Sequence, residues 1–418
     1  VTTTARRRSA VAVTVGVLSA LYFAQGLPFG FFTQALPVVL RESGFSLIEI
    51  SATGLLFAPW ALKFLWAPFV DRYGTRRRWL LSLQFACAAV ACLMASFDVV
   101  GGYGVLFVGI AVLNTLSATQ DVATDGVAVT RLGPRQRGLG NGIQVGAYRI
   151  GMIAGGGGLL YLYAVVGWRG LFLAMALALV LCTIPVWWLP RERVSDHRES
   201  HEGPTSFLRT AGTWLERLRR PGVVGLIALI AAYKFGDSMG SALTGPFMTD
   251  VGMSLLQIAL VKGVLSSAGA LVGAALGGWI AYRYGRRTAL LLGGLTQTVA
   301  LGLYLTAALG VGGFGLIVAA SLAEHIFGGA ATVAVFTVMM DAAERAHAGA
   351  DYTLLACSVV VVQGVAGLAA GLVGQLWGYP ALFGSSLLIS GIGCVVLILA
   401  LDRGAGTDGV RVGYRLRW

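Results

Sequence analysis

The chain contains three lysines, Lys63, Lys234 and Lys262, and each falls inside a long apolar run; the polar breaks between runs use arginine instead. An ionisable group at the centre of a bilayer costs roughly 2.5–3.5 kcal/mol on insertion scales, so it is kept where it meets a watery cavity or a partner. Lysine can also release its proton when desolvated, which arginine does not readily do. Lys234 and Asp237 stand at i and i+3, on one helical face and roughly 18 Å from the end of their run at 1.5 Å per residue. Two readings are open for them. They neutralise each other, or they line a cavity and exchange partners when a substrate or a proton arrives.

Other charges have the same character. Asp121 and Arg149 sit at similar depth in neighbouring runs, where they can pair with each other. Alternatively Arg149 can grip a carboxylate or phosphate on a substrate, since its planar fork binds such groups bidentately. Asp125 lies one turn from Asp121. Glu324 and His325 are adjacent in another run and point about 100° apart on a helix. Histidine titrates near neutral pH and a desolvated glutamate is raised toward it, which makes the two a candidate proton site. Lys63, near the end of its run, is expected to snorkel to the surface, and Lys262 lies toward the opposite face. Gln25, Gln34, Asn114, Gln120, Gln144 and Gln363 are uncharged polar candidates, and Tyr22, Trp60 and Tyr148 can stack on rings or simply pack. No nucleophile–base pair or metal-ligand spacing emerges, and the five cysteines all lie in apolar runs. The expectation is therefore a non-enzyme with no metal and no cofactor.

The elements that must position these groups are membrane helices. With 56% hydrophobic and 12% charged residues, the chain is far outside the range of water-soluble domains. Apolar segments fall at 10–40, 47–70, 79–97, 104–130, 139–165 and 168–190, then at 222–248, 255–281, 288–309, 313–340, 353–377 and 378–402. Each approaches the ~20 residues needed to cross a bilayer. The pattern predicts an all-α membrane protein of twelve spans in two six-helix bundles, 1–190 and 222–402. A polar linker covers 191–221, with a short amphipathic helix expected near 206–219, and 403–418 forms a tail. Arg6, Arg7 and Arg8 followed by apolar residues look like a signal peptide, but the run continues to Leu40 and is read as the first span.

Arginines cluster in alternate loops (Arg76, Arg77 and Arg78; Arg131, Arg135 and Arg137; the linker; Arg283, Arg286 and Arg287). The positive-inside rule then places both termini in the cytoplasm of a cell with this protein in its inner, or plasma, membrane. The formal charge of +12 is explained in the same way, without nucleic acid. Two repeats support two halves. Gly44-Phe-Ser-Leu-Ile-Glu-Ile50 recurs as Gly252-Met-Ser-Leu-Leu-Gln-Ile258, and Asp71-Arg-Tyr-Gly74 as Tyr282-Arg-Tyr-Gly285. Parallel six-helix repeats are one plan for secondary transporters.

Pro68-Phe-Val-Asp71-Arg72-Tyr73-Gly74-Thr75-Arg76-Arg77 resembles the loop signature of the major facilitator superfamily. That resemblance implies a gating role for Asp71, Arg72, Gly74 and Arg76, with Asp125 nearby. Leu21-Tyr-Phe-Ala-Gln-Gly-Leu-Pro-Phe-Gly30, Pro59-Trp-Ala-Leu-Lys63-Phe-Leu-Trp-Ala-Pro68 and Gln120-Asp121-Val-Ala-Thr-Asp125-Gly126 are similar to the peptide/acetyl-coenzyme A transporter branch, as are Arg137-Gly138 and Tyr148-Arg149-Ile-Gly-Met152. This branch includes AmpG-type muropeptide permeases. The resemblance implies a secondary carrier that moves its solute with protons by alternating access, with its site between the halves. The basic groups inside the spans, Arg149, Lys234 and Lys262, make a polar, anionic or zwitterionic metabolite (muropeptide-like or acyl-coenzyme A-like) the expected substrate. Arg149, Lys234, Gln25, Gln144, Tyr148 and Gln363 are the expected substrate contacts, and Asp121, Asp237, Glu324 and His325 the expected proton-coupling groups. A monomer in the lipid bilayer is expected. Efflux of lipophilic compounds and a non-transporting receptor or scaffold are the competing readings. In Gly151-Met-Ile-Ala-Gly155-Gly-Gly-Gly158 the small residues suit close helix packing.

Overall fold

The computed structural model describes residues 2–97, 103–131, 146–189, 216–342 and 348–415. Among them every regular element is helical. Eight helices are long and apolar enough to cross a membrane. Three of these, Gly146–Trp188, Leu255–Ala308 and Leu354–Asp402, are each two helices broken at one glycine: Gly167 (φ 73°), Gly285 (φ 85°) and Gly378 (φ 78°). A left-handed φ is costly for any residue with a Cβ, so glycine is where such a break forms. Taking those three as pairs and adding the interrupted stretch 47–72 gives twelve spans. We number them α1 (Val13–Glu42), α2 (47–72), α3 (Arg76–Met94), α4 (Tyr103–Arg131), α5 (146–166), α6 (168–188), α7 (Val223–Asp250), α8 (255–284), α9 (286–308), α10 (Gly313–Ala342), α11 (348–377) and α12 (379–402). A short α13 (Asp408–Arg415) follows. Most of the amphipathic helix expected near 206–219 lies outside the described residues.

The chain divides into two compact units. One holds Val1–Val39 and Leu62–Ser206, the other Leu40–Ala61 and Phe207–Trp418. In the first, α1 and α5 approach backbone to backbone. A Cβ on Gly26 would strike the carbonyl of Tyr148, and one on Gly155 the carbonyl of Leu27. Small residues permit this contact, and it fixes the height of Tyr148 and Arg149 against α1. At one end, Val17 and Leu21 of α1, Val70 of α2, Leu80 of α3, Val127 of α4 and Val186 of α6 form a buried cluster. At the other end the Trp168 indole donates to the Met94 carbonyl at 3.1 Å. α2 is not a regular helix. It carries 3₁₀ turns at Thr53–Phe57 and Lys63–Leu65, and Pro59 and Pro68 each withdraw a backbone donor from it.

In the second unit the sequence repeat is a structural one. Gly44 (φ 89°) and Gly252 (φ 84°) precede Ser46 and Ser254, which cap the helices that follow. Glu49 and Gln257 complete the two capping boxes, a motif that satisfies two otherwise orphaned donors. The Leu47 amide donates to the Gln375 side chain at 3.0 Å, which ties segment 40–61 to α11. At the α8–α9 break, Arg286 pairs with Asp341 at 3.1 Å and Arg287 with Asp402 at 2.9 Å. The α13 helix docks here. Its Val410 and Tyr414 are buried, and the Tyr414 hydroxyl donates to Asp402 at 2.9 Å. Burial, reinforced by Asp402, pushes this phenol above its usual range.

The outward faces carry large apolar side chains: Leu177 is 60% exposed, Val299 62% and Ile392 62%. Polar groups such as Gln84, Asn114, Thr124 and Gln297 are buried instead. This distribution suits a lipid solvent. The protein is an all-α membrane protein.

Candidate functional site

Each unit contains a cluster of buried polar side chains. In the first, Lys63 of α2 pairs with Asp121 of α4. This corrects two expectations. Lys63 does not snorkel, because a buried carboxylate lies within its reach, and Asp121 does not pair with Arg149. One turn along α4, Asp125 accepts a hydrogen bond from the Tyr22 hydroxyl of α1 at 2.9 Å. Between the two acids, Thr124 accepts from the Gln25 amide at 3.0 Å. Gln25 and Thr124 are almost fully buried.

Arg149 of α5 is half-buried. Its contact is with the Met152 sulfur at 4.0 Å, and among the described residues it has no carboxylate partner. The neighbouring Tyr148 ring lies against Phe29 at 5.6 Å. Gln144 lies outside the described residues. At the α2–α3 turn, Gly74 (φ 75°) makes the bend and Thr75 caps α3 through the Arg78 amide. Arg76 is laid over Gly126, next to Asp125, so closely that a Cβ there would collide with its side chain. Arg77 donates to the Leu189 carbonyl at 3.2 Å and sits over the Trp187 ring. The side chains of Asp71 and Arg72 lie outside what the structure describes.

The second cluster is built along α7. Lys234, Asp237, Ser241 and Thr244 fall at i, i+3, i+7 and i+10, one polar stripe on an otherwise apolar helix. Lys234 bonds to Asp237 at 2.5 Å and to Thr332 of α10 at 3.4 Å. Ser241 donates to one Glu324 oxygen at 2.5 Å, while Tyr304 reaches the other at 3.4 Å. His325 folds back so that its Nδ1 lies 3.1 Å from Glu324 and 2.9 Å from the Ser321 carbonyl. Lys262 donates to Thr244 at 2.5 Å, and Thr244 donates in turn to the Ser241 carbonyl at 3.1 Å. Lys262, Thr244, Ser241 and Glu324 are thus linked in series, through the carbonyl and the hydroxyl of the part-buried Ser241. Gln363 stands apart, exposed on α11.

The hydroxyl residues Thr124, Ser241, Thr244, Tyr304 and Thr332 were not singled out from the sequence. For Ser241 and Thr244 the α7 spacing would have found them. Tyr304 carried no comparable signal. Among the described residues, no group of three His, Cys, Asp or Glu could hold a metal ion.

Comparison with known proteins agrees with this architecture. The pattern of the Major Facilitator Superfamily matches residues 18–271 and 232–411. A Haemophilus influenzae protein of uncharacterised function is 30% identical over 402 residues, 91% of this chain and 93% of its own. The anhydromuropeptide permease of Escherichia coli K12 is 26% identical over 396 residues, 92% of this chain and 79% of its own. Among solved structures, the nucleoside transporter NupG superposes with a TM-score of 0.70 at 13% identity, over 93% of this chain and 98% of its own. A bacterial homolog of the human lysosomal transporter Spinster, inward-facing and occupied, does so with a TM-score of 0.68 at 17% identity, over 98% and 97%. The chain is a multi-pass membrane transporter and belongs to the major facilitator superfamily.

Proposed function

We propose that this transporter carries a polar, anionic or zwitterionic metabolite, of the anhydromuropeptide or acyl-coenzyme A kind, across the inner membrane together with protons. Both termini are cytoplasmic in this reading, and transport proceeds by alternating access. The observation that carries it is Arg149, a guanidinium within a membrane span that has no carboxylate of its own among the described residues. A half-buried cation in that condition suits an anion brought by the substrate. Similarity to the permease of Escherichia coli favours the muropeptide class. Tyr148, the neighbour of Arg149 in sequence, and Gln25 are proposed as further contacts, with Lys234 in the second unit and Gln144 and Gln363 as the remaining ones.

The proton is assigned to the buried acids, Glu324 with His325 in the second unit, and Asp121 and Asp237, each held by a lysine. Gating is assigned to Asp71, Arg72, Gly74, Arg76 and Asp125.

Uptake of labelled anhydromuropeptide into proteoliposomes tests the reading, with acyl-coenzyme A as competitor. Uptake should rise with an inward proton gradient and fall with a protonophore; indifference to both would remove proton coupling. Arg149→Ala should raise KM at least about tenfold, the loss of one charge-assisted contact. An unchanged KM would remove the anion-binding role.

A further inference from the structure

The second unit contains a cavity that the transport reading does not use. It has a volume of about 310 Å³ and opens where the start of α7, the end of α10, the start of α11 and α13 come together. Arg217, Arg220 and Arg411 line it. Arg217 and Arg220 lie on one turn, with the Arg220 amide bonded to the Arg217 carbonyl at 3.2 Å, so both side chains serve the same space. Two carboxylates also line it: Asp341 is held by Arg286 at 3.1 Å, and Asp408 by Arg411 at 3.2 Å, a pair that also engages Arg411. Thr407 lines it as well. Its hydroxyl is buried and has no hydrogen-bond partner among the described residues. The remaining wall is apolar, formed by Val223, Leu226, Leu354 and Leu355.

We propose that this cavity binds the phosphate group of an anionic phospholipid. Guanidinium groups grip phosphate oxygens in pairs, and the Thr407 hydroxyl has a donor to spare. The apolar wall suits the glycerol and first acyl carbons. Basic pockets between helices at the membrane surface are where anionic headgroups are recognised. Because the arginines come from the segment leading into α7 and from α13, a bound lipid joins these two segments to the bundle.

The test uses the full-length protein in nanodiscs of phosphatidylcholine with or without phosphatidylglycerol. Native mass spectrometry should find phosphatidylglycerol retained on the released protein, and thermal stability should rise with it. In Arg217→Gln/Arg220→Gln retention should fall about tenfold, as expected when charge-assisted contacts to phosphate are lost. Thr407→Val should weaken it less and serves as the variant least able to disturb folding. Inorganic phosphate, added to phosphatidylcholine nanodiscs, separates the sources. A shift with inorganic phosphate that the arginine variants abolish, without lipid retention, keeps phosphate recognition and overturns the lipid as its source. No preference for phosphatidylglycerol and no response to phosphate, or retention unchanged in the arginine variants, overturns the site.

Discussion

Lys63 of α2 forms an ion pair with Asp121 of α4, while Arg149 of α5 has no carboxylate partner among the described residues. The acid of this unit is thus held by the lysine and not by the arginine. Removing one member of a largely buried pair strands the other, at a cost of about 3 kcal/mol, whereas removing both is far milder. Lys63→Met and Asp121→Asn should each lower the melting temperature in detergent, and the double variant should recover most of the loss. If each single variant melts like the parent, the pair does not hold α2 to α4.

Glu324 receives hydrogen bonds from Ser241 and Tyr304 and lies beside His325. A proton carried on this carboxylate cannot be carried by an amide of the same shape. Glu324→Gln should therefore abolish uptake driven by a proton gradient while leaving exchange of internal for external substrate intact. Loss of exchange as well would mean that Glu324 serves binding or folding. His325→Gln should be milder, because the Glu324 carboxylate keeps Ser241 and Tyr304.

Glycines on one short stretch of α5 make opposite predictions. A Cβ at Gly155 meets the Leu27 carbonyl of α1, whereas at Gly158 it meets nothing within 4 Å. Gly155→Ala should cost about 1–3 kcal/mol, the usual range for overpacking. Gly158→Ala should be close to neutral. Equal melting temperatures for the two would argue against the close α1–α5 contact.

How far the sequence disclosed this molecule follows from what each signal depends on. Span positions depend on hydropathy alone: the breaks at Gly167 and Gly285 fall in gaps between predicted spans, and the break at Gly378 falls where two predicted spans abut. The Gly44/Gly252 repeat could be read because its glycine, serine and acid or amide have fixed offsets within one turn. Partner choice among buried charges was different. It depends on how each helix is rotated about its axis, which is why Asp121 could not be given to Lys63 in preference to Arg149. The irregular turns of α2 hid the direction of Lys63 further. α13 was overlooked although Val410 and Tyr414, at i and i+4 among charged neighbours, carry its signal.

Arg41 shows what a charge-conserving substitution can test. Its Nε and Nη2 hold Asp250 at 2.6–2.9 Å, its Nη1 donates to the Phe45 carbonyl at 3.0 Å, and Tyr379 donates to the same Asp250 at 2.7 Å. The group joins the end of α1 to the end of α7 and the start of α12, all within the second unit. Both charges are partly exposed, so screening limits the pair to about 1 kcal/mol. Its geometry is what a lysine cannot copy, because a point charge on a flexible stem cannot serve two carboxylate oxygens and a carbonyl at once. Arg41→Lys should thus destabilise nearly as much as Arg41→Ala, and Tyr379→Phe should lower the coupling measured between Arg41 and Asp250 in a double-mutant cycle. Full recovery with lysine would show that charge alone holds this corner, and the planar fork would then have no structural role there.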